Sequence, residues 1–281
     1  MNTGNVNFRI GKSKFFQGLT TVLAFVCVIP LLAILLFIIK AGITKINWHF
    51  LVNVPKPVGE AGGGIANALL GTFLIIICAT IIAVPIGILC GIYLSENRKS
   101  KLAYWSRLCV DILQGVPSIV IGIVAYFWIV RPLGFSGFSG SIALAIMMLP
   151  IVIRSTEETL KLLPDSLKEA AFALGMPFQR VMLKVIVPCG ISGILSGVML
   201  SVARIAGETA PLLFTAFGNP YLSANMAKPM QSLPLLIFNY ATSPYNDWHD
   251  LAWGASLILL VFVLLLNILT KLITKKWKVQ L

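Results

Sequence analysis

Two charged residues, Arg204 and Glu208, lie within a long apolar stretch of the chain. Arg204 would lie roughly 24 Å along a helix that starts at Pro188, at 1.5 Å per residue. Because a charge at that depth costs at least about 2.5–3.5 kcal/mol on insertion scales, we expect it to face protein or water. A guanidinium offers a planar fork of donors suited to phosphate oxygens, and Glu208 would hold or release it. The spacing of four residues also allows a purely structural ion pair.

A second candidate pair is formed by Asp111 and Arg154, which we expect at the inner face of a membrane. The first would begin the third membrane helix and the second would end the fourth. Opposite charges at the ends of neighbouring helices can close an inner gate by pairing. Interaction with water and lipid headgroups is the alternative.

The elements that must position these residues are membrane helices. Apolar residues make up 58% of the 281-residue chain and charged residues only 11%, with a mean hydropathy of +0.91. Each bilayer crossing needs about 20 apolar residues. The apolar runs predict about six transmembrane helices, near residues 19–41, 66–94, 108–130, 140–154, 189–216 and 251–273. The fold class is therefore an all-α integral membrane protein, in which a short 140–154 helix containing Pro150 is best suited to the interior.

The distribution of basic residues predicts the orientation. Of the 22 Lys and Arg residues, 16 fall in segments that would be inside if the N-terminus is inside, and 5 fall outside. This asymmetry follows the positive-inside rule. We expect a multi-pass protein of the cell inner membrane with both termini cytoplasmic, a cytoplasmic segment 1–18, a transmembrane domain 19–281 and an outer loop 218–250. Because the basic residues are dispersed among short loops, no nucleic-acid partner is expected.

The cytoplasmic segment 155–188 is more than a connector. Ser166 and Glu169 have the spacing of a capping box that would start a helix. Gly175 is placed to end that helix, and Pro177 to open a second helix that runs to Pro188. Two short helices outside the membrane predict a projection that can dock in a partner's groove.

This segment carries a resemblance to a known family. Glu169-Ala170-Ala171, then Gly175 and Pro188, resemble the EAA motif of ABC importer permeases. The family ends this motif with Ile-x-Leu-Pro, so Val185 and Val187 are conservative departures. The resemblance implies the MetI-like permease fold, in which this loop forms coupling helices that sit in a cleft of a cytoplasmic ATPase.

Within that family the chain is most similar to the phosphate permeases. The similar stretches are residues 59–64, 111–118, 154–158 and 204–215. The resemblance implies a substrate pathway that includes Arg204, Glu208 and Thr209. It also implies three partners: a homologous permease subunit, a dimer of ATPase subunits and a phosphate-binding protein. The residue chemistry alone indicates an anion, so sulfate and molybdate stay as alternatives.

Other function classes fit the sequence less well. Gly11-Lys12-Ser13 resembles the end of a P-loop, but Val6 occupies the position of the required glycine, so the chain is not expected to hydrolyse ATP. Five cysteines without a CxxC pair or a histidine cluster indicate no metal site, and no cofactor is expected. An ion-coupled secondary transporter has no need of a loop like 155–188.

Small residues on the fifth predicted helix leave one packing question open. Gly193 and Gly197 have the GxxxG spacing that permits close contact between helices. The contact would be either with a partner permease or with another helix of the same chain.

Overall fold

The computed structural model describes residues 4–57, 59, 60 and 62–276, and these residues are mainly helical. The first half contains α1 (Gly4–Ile43), α2 (Trp48–Val52), α3 (Ala66–Glu96), α4 (Lys101–Gly115), α5 (Ser118–Ala125) and α6 (Arg131–Leu133). The second half contains α7 (Gly137–Lys161), α8 (Asp165–Ala173), α9 (Phe178–Val181), α10 (Val187–Ala206), α11 (Ala210–Thr215), α12 (Leu233–Ala241) and α13 (Asn246–Lys276). Wider π-turns at Tyr126–Val130 and Met182–Ile186 join α5 to α6 and α9 to α10.

The prediction of about six membrane helices is confirmed. By length and apolar composition, five described helical spans can cross a bilayer, and the pair formed by Lys101–Gly115 and Ser118–Leu133 makes a sixth if it counts as one span. The prediction of one straight helix over 108–130 is wrong, because this pair is bent by 106°. Pro117 stands at the bend, where it lacks the backbone N–H that a continuing helix requires.

Helix α7 is the centre of the bundle. In its most apolar stretch 67% of the residues are buried, against 28% in α3. The predicted interior position of the fourth helix is therefore confirmed, although the helix extends beyond 140–154 on both sides. Its C-terminal extension through Lys161 carries additional charged residues.

Glycines allow neighbouring helices to approach α7 closely. A Cβ added at Gly193 or Gly197 of α10 would overlap the side chain of Thr159 or Ser155. On the other side, a Cβ at Gly91 of α3 would overlap Thr156. The GxxxG pair thus packs within the chain, which answers the question that the sequence left open.

The prediction of one helix over 189–216 is also wrong. Helix α10 ends at Ala206, and α11 begins only at Ala210. Gly207 has a low helix propensity, and Pro211 has no N–H to donate to the carbonyl of Gly207. The predicted boundary at Pro188, between the second short helix and the fifth membrane helix, is also wrong. No break is found there, since α9, the π-turn and α10 are continuous. The wider turn relieves the clash that a proline ring makes in a regular helix.

The first and last described helices pack against each other. Helix α1 contacts α13, and Phe37 and Trp253 meet edge to face with ring centroids 5.0 Å apart. Helix α1 already includes Gly4, whereas the first membrane helix was predicted to begin near residue 19, so the described part of segment 1–18 is helical. The segment 218–250 is likewise more than a loop, because it contains α12.

Candidate functional site

The segment 155–188 contains two short helices, as predicted, but the capping box is absent. Pro164 holds the N-cap position of α8, and no side chain caps the helix. Ser166 therefore lies inside the first turn. Asp165 is the first helical residue, where a carboxylate interacts favourably with the positive end of the helix dipole.

The predicted helix end at Gly175 is confirmed in detail. Gly175 has a φ of +75°, a region that glycine adopts without strain. Its N–H donates to the carbonyl of Phe172 at 2.8 Å, and the N–H of Met176 donates to that of Ala171 at 3.3 Å. These two bonds form a Schellman motif, which fixes the angle between α8 and α9.

The outer surface of this segment is apolar and open. Of the predicted coupling residues, Glu169, Ala170, Gly175 and Pro188 are exposed, whereas Ala171 is buried. Large apolar side chains nearby are 45–84% exposed, namely Leu162, Phe172, Leu174 and Phe178. An exposed apolar cluster of this kind is typical of a protein-binding surface.

Helix α8 is tied to the membrane bundle by a single strong ionic contact among the described residues of that helix. Lys168 Nζ contacts Glu96 Oε1 at the C-terminal end of α3. The two side chains are 15% and 17% exposed, so water screens this ion pair less than a surface pair. This ion pair joins α8 to α3.

The structure brings the two predicted inner-gate residues together. Arg154 Nε donates to Asp111 Oδ1 at 3.1 Å, and Arg154 Nη2 contacts the same oxygen. Asp111 is 51% exposed, which places this pair at the edge of the bundle. The contact ties α4 to α7.

A buried carboxylate beside this pair was missed in the sequence. Glu157 is fully buried and accepts from Arg107 Nε at 2.6 Å, Lys161 Nζ at 2.5 Å and Arg154 Nη1 at 3.2 Å. Arg154, Glu157 and Lys161 share one helix face at spacings of three and four residues. That signal was available, but the predicted helix stopped at residue 154, so the face was not recognised.

Arg204 and Glu208 lie at the break between α10 and α11 rather than inside one helix. Arg204 is in the last turn of α10 with a side chain 53% exposed, and Glu208 follows the helix end at 20%. Their closest approach is 3.8 Å between Nε and Oε1, beyond the usual length of a hydrogen bond. This ion pair is loose, so the guanidinium has donors available for another ligand.

The surface around Arg204 continues along α10. Ser196, Leu200 and Arg204 are spaced four residues apart, and all three are exposed. Residues at this spacing lie on one helix face. Arg204 lies about 26 Å along α10 from Val187, at 1.5 Å per residue. A charged and exposed side chain near the end of a membrane helix is accommodated by the bilayer interface, by a water-filled space or by a partner subunit.

Thr209, the third predicted pathway residue, lines a cavity of about 960 Å³ between α1, α10, α12 and α13. The walls are mainly apolar, and the residues that line it do not include Arg204 or Glu208. Such a wall offers no charge to an anion. Of the three predicted pathway residues, the structure brings Arg204 and Glu208 together. Thr209 lines the apolar cavity, whose lining does not include the other two.

The described residues contain no group of three or more His, Cys, Asp or Glu side chains arranged to hold a metal ion. The carboxylates of Glu96, Asp111 and Glu157 are already engaged by Arg and Lys. The chemistry of the site is that of ion pairs and hydrogen bonds.

Comparison with known sequences gives consistent results. A sequence model of the family described as "Binding-protein-dependent transport system inner membrane component" matches residues 83–279. A "Phosphate transport system permease protein PstA" of Yersinia pestis is 47% identical over 250 residues, covering 88% of this chain and 85% of that protein. The protein of the same name from Haemophilus influenzae is 43% identical and covers 94% of each chain, and that from Pasteurella multocida is 42% identical and covers 97% of this chain and 98% of that protein.

Solved structures agree on the fold. A chain of the inward-facing MetNI methionine ABC transporter superposes with a TM-score of 0.63 at 17% identity, covering 76% of this chain and 98% of that chain. A chain of an amino acid ABC transporter gives a TM-score of 0.53 at 20% identity, covering 75% and 92%. At these identities the similarity concerns the fold alone.

Proposed function

This chain belongs to the binding-protein-dependent transport system inner membrane components and, among them, to the PstA phosphate transport permeases, and we propose that it forms half of the pathway of an ATP-driven phosphate importer. It is a multi-pass inner-membrane permease subunit of the ABC transporter type. In the proposed complex, ATP is hydrolysed by partner subunits, and this chain converts their movement into opening and closing of the pathway.

One observation carries the proposal. We call the exposed apolar cluster of Leu162, Phe172, Leu174 and Phe178 the coupling surface. One uninterrupted helical span, Phe178–Ile205, joins this surface to the exposed Arg204. A rigid helix transmits displacement along its length. Movement of a partner against Leu174 and Phe178 would therefore change the position of the guanidinium that is suited to an oxyanion.

The proposed partners follow from the family. Because the face of α10 that carries Arg204 is open in this chain, we expect it to meet a second, homologous permease subunit (PstC-like) across the pathway. The coupling surface would meet a dimer of ATPase subunits (PstB-like), and the outer segment 218–250 a phosphate-binding protein (PstS-like). The Asp111–Arg154 contact would close the inner end of the pathway.

The proposed orientation can be tested by chemical labelling. Single cysteines replace Ser243 and Lys275 in a background without native cysteines, and intact cells are exposed to a thiol reagent that does not cross membranes. Since the basic residues favour cytoplasmic termini, we expect Ser243→Cys to react and Lys275→Cys to react only after permeabilisation. Labelling of Lys275→Cys alone in intact cells would contradict the orientation.

Substrate choice is tested with the purified complex in proteoliposomes. We expect ATP-dependent uptake of radiolabelled phosphate that requires the phosphate-binding protein. A tenfold molar excess of sulfate or molybdate is expected to leave uptake nearly unchanged. This result requires the complex to bind phosphate much more than tenfold more tightly than the competing anion, and each factor of ten in affinity corresponds to about 1.4 kcal/mol. Uptake of sulfate in preference to phosphate would support the alternative substrate and overturn this one.

A further inference from the structure

We propose that Glu157 is a positioning residue for transport. It fixes the position of α4, and with it the Asp111–Arg154 contact, relative to the coupling segment, by which we mean α8 and α9. This inference rests on the proposed function, because it assigns Glu157 a part in coupling ATP hydrolysis to movement of phosphate. It concerns a group outside both the EAA motif and the Arg204–Glu208 pair.

The first support is the burial of an engaged charge. Glu157 is fully buried, and its two carboxylate oxygens accept from Arg107, Arg154 and Lys161. A buried carboxylate is retained at a large desolvation cost, and its removal leaves the cations without compensation. One acidic side chain therefore forms ion pairs with cations from two different helices, α4 and α7.

The second support is the connection to α3. Arg107 of α4, which contacts Glu157, also donates through Nη2 to the carbonyl of Leu94 at 2.6 Å and through Nη1 to that of Arg98 at 3.2 Å. Leu94 lies in the last turn of α3 and Arg98 just after the helix, each two residues from Glu96. Since Glu96 pairs with Lys168 of α8, the contacts of Arg107 and of the coupling segment meet on the same few residues at the end of α3.

The third support is the connection to the inner gate. Arg154 contacts both Glu157 and Asp111, so it is shared between the buried carboxylate and the exposed one. The cluster holds three cations and these two carboxylates. Replacing Glu157 by a neutral residue leaves three cations with Asp111 as their one contacting carboxylate among the described residues. Repulsion between Arg107 of α4 and the two cations of α7 then moves α4 away from α7, and Asp111 moves away from Arg154 with it.

The test compares Glu157→Gln with Glu158→Gln in the full transporter complex reconstituted in proteoliposomes. Glu158 is the adjacent residue and is exposed, so it controls for the same chemical change. We expect the ratio of phosphate carried to ATP hydrolysed to fall at least about tenfold in Glu157→Gln, since loss of one partner of a buried ion pair is strongly disruptive. The ratio in Glu158→Gln is expected to equal that of the unmodified complex.

A second variant separates positioning from a general loss of folding. Glu157→Gln combined with Lys161→Gln removes one cation together with the carboxylate, and we expect it to recover much of the lost ratio. The inference is overturned if Glu157→Gln lowers only the yield of folded complex while its ratio is unchanged. It is equally overturned if the double variant is no better than Glu157→Gln.

A distance measurement gives a readout that does not depend on the transported ion. Spin labels are attached to Cys109 on α4 and to Leu162→Cys after α7, both exposed, with the other cysteines replaced. We expect Glu157→Gln to lengthen and broaden the distance distribution and Glu158→Gln to leave it unchanged. Equal distributions in the two variants would overturn the inference, whereas absent phosphate uptake by the unmodified complex would instead count against the proposed function.

Discussion

Replacing Gly175 by proline is expected to separate the ATPase from the permease while leaving the membrane bundle intact. Proline fixes φ near −65°, whereas Gly175 has a φ of +75°, and proline also lacks the N–H that bonds to Phe172. The Schellman motif between α8 and α9 is therefore lost. We expect ATPase co-purification and binding-protein-stimulated ATP hydrolysis to fall to near background, at normal levels of permease in the membrane.

A matched control is available on the opposite side of the protein. Gly134 also has a positive φ, +86°, and its N–H donates to the carbonyl of Val130, but it lies between α6 and α7, far in the chain from the coupling segment. Gly134→Pro introduces the same backbone strain, and we expect the ATPase to remain bound. The milder Glu169→Lys reverses an exposed charge and is expected to weaken the association. Full ATPase content in both Gly175→Pro and Glu169→Lys would rule out the coupling assignment.

The number of membrane helices could be predicted because hydropathy reports directly on burial in lipid. The interruptions could not. Gly207 and Pro211 end α10 early, yet prolines such as Pro85 and Pro150 are contained within α3 and α7 without ending them. Whether a proline breaks a membrane helix depends on neighbouring groups that satisfy the freed carbonyls, and these are set by tertiary contacts.

The candidate site was predictable to the extent that it follows from local spacing. Gly175 was identified correctly because a helix end needs a residue with positive φ, which is a local requirement. Ser166 was not, because Pro164 occupies the N-cap two residues earlier, so Ser166 falls inside the first turn. The Arg107–Glu157 contact joins residues 50 positions apart, so no local pattern could have revealed it.

Loss of the Arg204 guanidinium is expected to abolish phosphate uptake. Arg204 has a side chain more than half exposed and only a 3.8 Å contact with Glu208, so its donors can serve an oxyanion. Arg204→Lys keeps the charge but loses the planar fork, and we expect uptake to fall by about tenfold, the equivalent of 1.4 kcal/mol. Arg204→Gln is expected to reduce uptake to background. Radiolabelled phosphate uptake per unit of permease in the membrane is the measurement.

The double variant Arg204→Gln/Glu208→Gln distinguishes a transport role from a structural ion pair. If the two residues only compensate each other, removing both charges restores expression and much of the uptake. We expect expression to recover while uptake stays at background, because the neutral pair still lacks the donors that bind phosphate. Glu208→Gln alone serves as the matched control: it keeps Arg204 and is expected to reduce uptake less than Arg204→Gln. Near-normal uptake in the double variant would show that Arg204 does not contact the transported anion.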